Sequence, residues 1–264
     1  FKLSVTGRPW RWCRAFLTDR RLRTTQDGLT SDWFNFNAGV PQGSVLFLVF
    51  INDVTSFRGK ALAVMFADDI ALVPVDLSRA GDLDLKAALI KLDFWARDWR
   101  VTFNAKKSKV LCFTSQRKQP KVCDMYLAGS RLERVKEFDY LGIRWQENGK
   151  WDAHLRKVTA SATRVAAFIS ATLHRNGPPA SIIRQLCHAL IRTKILYGMP
   201  IWSPSRETDW NRLDALSVDP LRKCLGLPKS THLQSLLVES NTLSIRSQFD
   251  VLTLTSCHRA LTLP

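Results

Sequence analysis

The sequence predicts an α+β chain of 264 residues in which a mixed first part, 1–148, gives way to an all-helical part, 149–264. Three observations predict it. Short β-like runs separated by turn signals crowd the first part, as in "LAVMF" and "IALV" on either side of Asp68 and Asp69. Among them lies one long amphipathic stripe, Leu85, Leu89, Leu92, Trp95, Ala96 and Trp99. After Gly149 the short runs stop, and helical stripes punctuated by prolines take over. The change falls near 146–152, and no internal repeat is evident.

In chain order, Trp10, Cys13 and Leu17 stand at helical spacing, so a short helix opens the chain and ends at "TDRR". Residues 22–38 alternate around the turn pair Asp27-Gly28 and predict a hairpin. "GVPQGS" is a Gly/Pro loop that leads into a buried helix from Val45. Ala61–Ala67 and Ile70–Val75 predict a β-hairpin with Asp68 and Asp69 at its tip. A helix follows from Ser78 to Arg100, then strand, turn and strand over 101–114, a solvated "QRKQPK" turn, and another hairpin over 122–145. In the second part, Leu155, Val158, Ala162, Val165, Ile169 and Leu173 mark a helix that Asn176-Gly177-Pro178-Pro179 stops. A second helix covers Ser181 to about Tyr197, and further helical stretches lie around 207–225 and 233–260, punctuated by Pro204, Pro220 and Pro228.

Lys and Arg outnumber Asp and Glu by 39 to 23, a net charge of +16. The excess is +9 before residue 151 and +7 after it, so the charge belongs to the folded body rather than to a tail. Such a body suits a polyanionic partner, nucleic acid above all, although a solubilising surface is the bland alternative. Cys13, Cys112, Cys123, Cys187, Cys224 and Cys257 lie far apart among apolar residues and read as reduced and mostly buried. Without a C-x-x-C or H-x-x-x-H spacing no zinc site is proposed. The opening residues are not a signal peptide, and no apolar run approaches the roughly 20 residues of a membrane span, so the sequence reads as intracellular, nucleus or cytoplasm undecided. A Phe at position 1 points to a start farther upstream.

Asp68 and Asp69 carry the chemistry. Two neighbouring carboxylates repel each other unless a cation neutralises them, and magnesium prefers oxygen ligands supplied by one or two carboxylates plus substrate phosphates. A solvated type I′ turn is the competing reading. Strongly apolar flanking strands favour the metal, since they would hold the carboxylates rigidly on a cleft floor. Upstream, Gly39-Val40-Pro41-Gln42-Gly43-Ser44 offers glycines for close ligand approach and Gln42 as donor and acceptor. Asn104-Ala105-Lys106-Lys107-Ser108-Lys109 is a basic turn suited to a triphosphate, or simply an exposed charged one. On the second part, Arg156, Lys157, Arg164, Arg184, Arg192 and Lys194 read either as a duplex-binding face or as ordinary solvated helix surface.

"GVPQGSVL", "FLVFINDV", "FADDIALV", "NAKKSKVLCF" and "FDYLGIRW" followed by W-x-x-H stand in this order. Together they resemble the palm of a reverse transcriptase of the LINE-like (non-LTR) retrotransposon type. The resemblance covers residues 1 to about 155 and continues through "KILYGMPIW". It implies a right-hand polymerase, partial fingers and palm followed by a thumb-like helical region. It also implies RNA-directed DNA synthesis with two Mg2+ ions (or Mn2+) on an RNA template, a DNA primer and deoxynucleoside triphosphates. By the same resemblance Asp68 is the main catalytic metal ligand and Asp69 the supporting carboxylate, within the motif of Phe66, Ala67, Asp68 and Asp69. Gly39, Pro41, Gln42, Gly43 and Ser44 then cradle template and incoming nucleotide, Lys106 or Lys107 lies near the triphosphate, and Tyr140, Leu141 and Gly142 form the primer grip. No membrane partner is implied, and no oligomeric state.

Two departures accompany the match. Nothing in the sequence supplies the further aspartate of a D-x-x-x-A-F-D strand, since Asp19, Asp27 and Asp32 lie in polar, turn-like surroundings. About four residues of the family pattern are also absent between Leu46 and Phe47, which shortens the helix by roughly 6 Å and rotates the downstream residues by about 40°. The sequence then supports two readings: a reverse transcriptase domain, inactive as this incomplete or degenerate copy, and a non-catalytic nucleic-acid-binding remnant. A phosphohydrolase built on Asp68 and Asp69 would want more His or Asp ligands than the sequence offers.

Overall fold

The computed structural model describes residues 5–36, 39–56, 61–76, 78–114, 123–172 and 178–262. They form a mixed α+β arrangement of small two-stranded sheets followed by an all-helical region. By compactness the chain divides into two units, residues 1–108 with 121–133 and residues 109–120 with 134–264.

Helix α1 (Gly7–Leu17) leads into β1 (Arg20–Leu22), β2 (Thr25–Gln26), β3 (Leu29–Thr30) and β4 (Phe34–Phe36). β1 pairs with β4 and β2 with β3, a nested hairpin whose Asp27-Gly28 turn has φ of 51° and 80°. Positive φ at both central residues is the type I′ signature that matches strand twist, which is why an Asp-Gly pair suffices to place this turn. Helix α2 (Val45–Ile51) follows the glycine loop and is continued by a 3₁₀ turn, Asn52–Ser56. The expectation of a buried helix is corrected here: Val45, Leu48 and Val49 are exposed, and only Ile51 is buried. A helix of seven residues has too few turns to be surrounded, and its anchoring comes from Phe50 against Trp95 and Trp99.

Strands β5 (Ala61–Phe66) and β6 (Asp69–Pro74) form the acidic hairpin, with register running from Phe66↔Asp69 to Ala61↔Pro74. Helix α3 (Arg79–Asp98) packs on both strands and buries Leu89, Leu92, Trp95 and Ala96 of the stripe read from sequence, with Ala88 beside them, while Leu85 is half-buried and Trp99 exposed. Only one face of the hairpin is covered, since Leu62, Val64 and Phe66 are exposed. The indole N–H of Trp95 donates to Asp53 at 2.9 Å, tying the 3₁₀ turn to α3.

The strand expected at the start of 101–114 is absent. Arg100 adopts a φ of 54°, and Val101 N–H donates back to Ala96 O at 2.8 Å, so this stretch caps α3 instead of pairing. Strand β7 (Lys109–Leu111) is short, and "QRKQPK" lies outside the described residues. Where one hairpin was expected over 122–145 there are two: β8 (Tyr126–Leu127) with β9 (Ser130–Arg131), then β10 (Glu133–Val135), and β11 (Glu137–Tyr140) with β12 (Ile143–Gln146). Both turns, Ala128-Gly129 and Leu141-Gly142, have positive φ at each central residue. Glycine in second place makes the type I′ turn accessible twice, which divides the segment.

The helices are α4 (Asp152–Thr172), α5 (Ala180–Leu186), α6 (Thr193–Leu196), α7 (Glu207–Cys224), α8 (Leu233–Glu239) and α9 (Ile245–Thr262). A π-helical segment, Cys187–Arg192, joins α5 to α6, so the expected helix ending near Tyr197 is continuous but locally widened. Asn176 and Gly177 lie outside the described residues; Pro178 and Pro179 precede α5. Pro220 does not break α7 but sits inside it, buried. The stretch around 233–260 is two helices, parted at Asn241 with φ 46°. The core gathers Ala162, Ile183, Ile191, Ile195, Met199, Trp202 and Leu213. Burying each of its large aliphatic side chains is worth roughly 1.5–3 kcal/mol.

All six cysteines are free thiols, and only Cys187 is buried, the others lying part-exposed or, for Cys257, exposed. Burial pushes the Cys187 thiol up to about 11. No helix among the described residues is long and apolar enough to cross a membrane.

Candidate functional site

Two stretches 26 residues apart meet. Gln42 Nε2 donates to Asp68 Oδ1 at 2.8 Å, joining the glycine loop to the tip of the β5–β6 hairpin. The loop is shaped by its own residues. Ser44 Oγ donates to Pro41 O at 2.8 Å and accepts from Phe47 N–H at 3.2 Å, capping α2. Gly43 holds a φ of 85°, a conformation closed to most side chains, and nothing stands within 4 Å of where its Cβ would lie. The Gly39–Ser44 loop therefore presents open backbone beside Asp68.

At the hairpin tip Ala67 and Asp68 are the turn, while Asp69 opens β6 opposite Phe66. Ala67 has a φ of 52°, whereas Asp68 is not in the positive region, so the type I′ turn of the competing reading is not the one formed. An alanine in a left-handed conformation costs roughly 1–2 kcal/mol, held here by the ladder on either side. Asp68 and Asp69 are both exposed rather than sunk in a cleft floor, and Phe66 beside them is exposed as well. Lys106 and Lys107 lie in an exposed turn closed by Asn104, whose Oδ1 and O both accept from Lys107 N–H at 3.1 Å. Among the described residues no hydrogen bond or ion pair links either lysine to the Asp68 hairpin.

Tyr140, Leu141 and Gly142 belong to the other unit and have surroundings of their own. Asp139 accepts a bidentate pair from Arg144, Nε at 3.0 Å and Nη2 at 2.9 Å, and Lys157 Nζ donates to the same carboxylate at 3.0 Å. The Arg144 guanidinium, aided by Lys157, holds the Asp139 carboxyl down at about 2 against the opposing effect of burial. Lys157 also donates to Gly142 O at 3.1 Å, and Tyr197 Oη donates to Leu141 O at 2.9 Å. His154, 2 % exposed, accepts Arg144 N–H on Nδ1 at 3.0 Å and stands edge-on to Trp202. Burial, with Lys157 adding to it, pulls its imidazole down to about 4, so it is neutral with the proton on Nε2. The W-x-x-H signal and "KILYGMPIW" were visible in the sequence, but their part in fixing this hairpin was not. Sequence spacing shows which residues share a helix face, not which loop they hold.

The six cations read as one basic face separate. Lys157 and Lys194 line a cleft of about 280 Å³ with Gly142 and Tyr197. Arg156 and Arg164 line another, of about 350 Å³, with Arg212. Arg184 is turned toward Ser240 O, and Arg192, 1 % exposed, donates to Ser217 Oγ at 2.9 Å and to Gln248 Oε1 at 2.7 Å. Arg192 is a core staple and offers nothing to a ligand.

Residues 1–145 match the family model described as reverse transcriptase (RNA-dependent DNA polymerase). The chain belongs to the reverse transcriptase family. It is 26% identical over 228 residues to the probable RNA-directed DNA polymerase from transposon BS of Drosophila melanogaster. It is 27% identical over 229 residues to the RNA-directed DNA polymerase from mobile element jockey of Drosophila funebris. To the probable RNA-directed DNA polymerase from transposon X-element of Drosophila melanogaster it is 24% identical over 223 residues. Each match covers 81% of this chain, and the chain spans about a quarter of the length of these curated relatives. It is thereby homologous to the reverse transcriptases of non-LTR, LINE-like retrotransposons. No solved structure matches it.

The oxygen-only donors at the hairpin tip fit a hard divalent cation, for which one or two carboxylates plus substrate phosphates suffice. Asp68 keeps Oδ2 beyond its bond to Gln42, and no described residue donates to the Asp69 carboxylate. Among the described residues no group of three or more His, Cys, Asp or Glu gathers.

Proposed function

We propose that residues 1–148 are the partial fingers and palm, and residues 149–264 the thumb-like region, of an RNA-directed DNA polymerase acting inside the cell. Asp68 and Asp69 hold Mg2+ (Mn2+ serving equally). Gly39, Pro41, Gln42, Gly43 and Ser44, with Phe66 and Ala67, cradle template and incoming deoxynucleoside triphosphate. Lys106 or Lys107 neutralises the triphosphate, and Tyr140, Leu141 and Gly142 grip the DNA primer paired to its RNA template. The observation that carries this reading is the Gln42–Asp68 hydrogen bond of 2.8 Å, which sets the glycine loop beside the acidic pair. Family membership supports it.

Asp68 and Asp69 would hold the cations, two being expected in the complete site, and when bound these would supply the Lewis-acid chemistry of nucleotidyl transfer. The chain's own part is positional. Gln42 fixes the rotamer of Asp68, the ladder through Phe66↔Asp69 fixes Asp69, and Gly43 lets main chain approach the nucleotide. A second reading, an inactive nucleic-acid-binding remnant, is favoured by the donor set, which stops at two carboxylates among the described residues.

For residues 1–264 alone we expect no primer extension on an RNA template with Mg2+ above an Asp68→Ala control. We also expect Mn2+ binding, read as water-proton relaxation enhancement, that disappears in Asp68→Ala. Extension clearly above the control would refute inactivity, and Mn2+ binding that survives Asp68→Ala would remove the acidic pair from the site. Fusing an upstream segment that carries D-x-x-x-A-F-D separates the two readings: extension appears under the first and not under the second.

A further inference from the structure

We infer that Arg20 is a positioning residue of the candidate site: it fixes the entry of the Gly39–Ser44 loop and so holds Gln42 against Asp68. The inference rests on the reading that this loop cradles a nucleotide beside a bound cation, and adds a residue which that reading leaves out. In the sequence Arg20 is only one of two arginines that end the opening helix.

The fold gives it a different place. Asp19 takes a φ of 51°, a left-handed step between the end of α1 and the start of β1. Arg20 then pairs with Phe36, the last residue of β4, at the end of the sheet from which the chain runs on to the loop. Its half-buried guanidinium joins two main-chain carbonyls. Nε donates at 3.3 Å to O of Leu17, the final residue of α1, where a helix leaves its carbonyls unpaired and favours a cation. Nη2 donates at 2.5 Å to O of Gly39, the first residue of the loop. The loop is thereby pinned along its length: Gly39 by Arg20, Pro41 by the Ser44 hydroxyl, and Gln42 by Asp68. Gly39 and Gly43, at φ of 83° and 85°, are the residues with most freedom to lose, so without these bonds the loop would sample many states. Pinning selects the state in which Gln42 meets Asp68. A planar fork fixes the directions of both bonds, which a single ammonium does not.

The test compares Arg20→Ala and Arg20→Lys with residues 1–264 as parent. Amide exchange is read at Ser44, whose N–H donates to Pro41 O inside the loop, and in α3 as the reference. Mn2+ affinity is read by water-proton relaxation. Both variants are expected to speed Ser44 exchange about tenfold, the worth of a charge-assisted hydrogen bond, with α3 unchanged. Mn2+ binding should weaken about threefold in both, less than for a group that touches a metal ligand directly, because Arg20 acts through Gln42. The sign is diagnostic. A cation acting by charge alone would, on removal, tighten Mn2+ binding in Arg20→Ala and leave it unchanged in Arg20→Lys. Mn2+ binding that is unaltered or tighter overturns the inference, as does Ser44 exchange equal to the parent's or a rise of the same size in α3. Each of these leaves the proposed function standing. A parent that binds no Mn2+ overturns both.

Discussion

At the scale of single residues, the consequential group is His154. It is neutral because burial disfavours the imidazolium, and its Nδ1 accepts the Arg144 main-chain N–H that shapes β12. In the unfolded chain the imidazole returns to about 6.5. Between there and about 4 the unfolded chain holds a proton that the folded one does not. Stability therefore falls as pH drops through that window, by at most about 1.4 kcal/mol per pH unit for this one group. His188, lowered for the same reason of burial, adds in the same direction. Melting temperatures of parent and His154→Asn measured from pH 7 to 4 should show the shallower slope in the variant; parallel curves would mean that His154 is not held neutral. Asp139 acts lower on the scale. Its carboxyl is depressed by Arg144, so its contribution is present above about pH 4 and fades toward about 2; with the carboxylate part-exposed, solvent screening leaves that contribution near 1 kcal/mol.

At the scale of elements, Gly81 sets helix propensity against geometry. It lies in the first turn of α3, where replacing Gly by Ala ordinarily gains about 1 kcal/mol. A Cβ there would stand 1.8 Å from Asp76 O and 2.9 Å from its carbonyl carbon, both main chain and unable to yield as a side chain would. Gly81→Ala is thus expected to destabilise by about 3 kcal/mol, because the segment leaving β6 must move away from the helix. Chemical denaturation measures this directly; a stabilised variant would show that the segment is loose. Legibility in the sequence follows the same division. The α3 stripe was readable because Leu85 to Trp99 repeat at helical period, and the Asp27-Gly28 turn because a single dipeptide dictates its type. The false strand at 101–104 was not, because the α3 cap at Arg100 and Val101 depends on a left-handed main chain that no residue type there announces. At the candidate site, the acidic pair and the glycine loop were each readable as motifs. Their junction through Gln42 was visible only once the chain had folded, and the partners of Leu141 and Gly142 lay more than ten residues away.

At the scale of the whole molecule, a charge of +16 spread over the entire chain is a cost to the compact state through self-repulsion. Raising ionic strength from low to moderate should raise the melting temperature by screening that repulsion. RNA should raise it further at equal ionic strength, since a ligand bound only by the folded chain adds to stability. Calorimetric scans with and without RNA check this, and a melting temperature that falls with salt would show that attractive pairs, not repulsion, dominate the surface. Charge counted from sequence is a total and says nothing of its geography. Of the six cations that shared a predicted face, Arg192 serves the core, Arg184 faces a carbonyl, and the rest divide between two clefts.

The contact of Tyr197 with Leu141, reinforced by Lys157 on Gly142, makes the β11–β12 tip a latch on the helices rather than a freestanding finger. The tip is thus tethered at two points, and Tyr197→Phe, which removes one of them, should raise amide exchange at Leu141 while leaving the helical core protected.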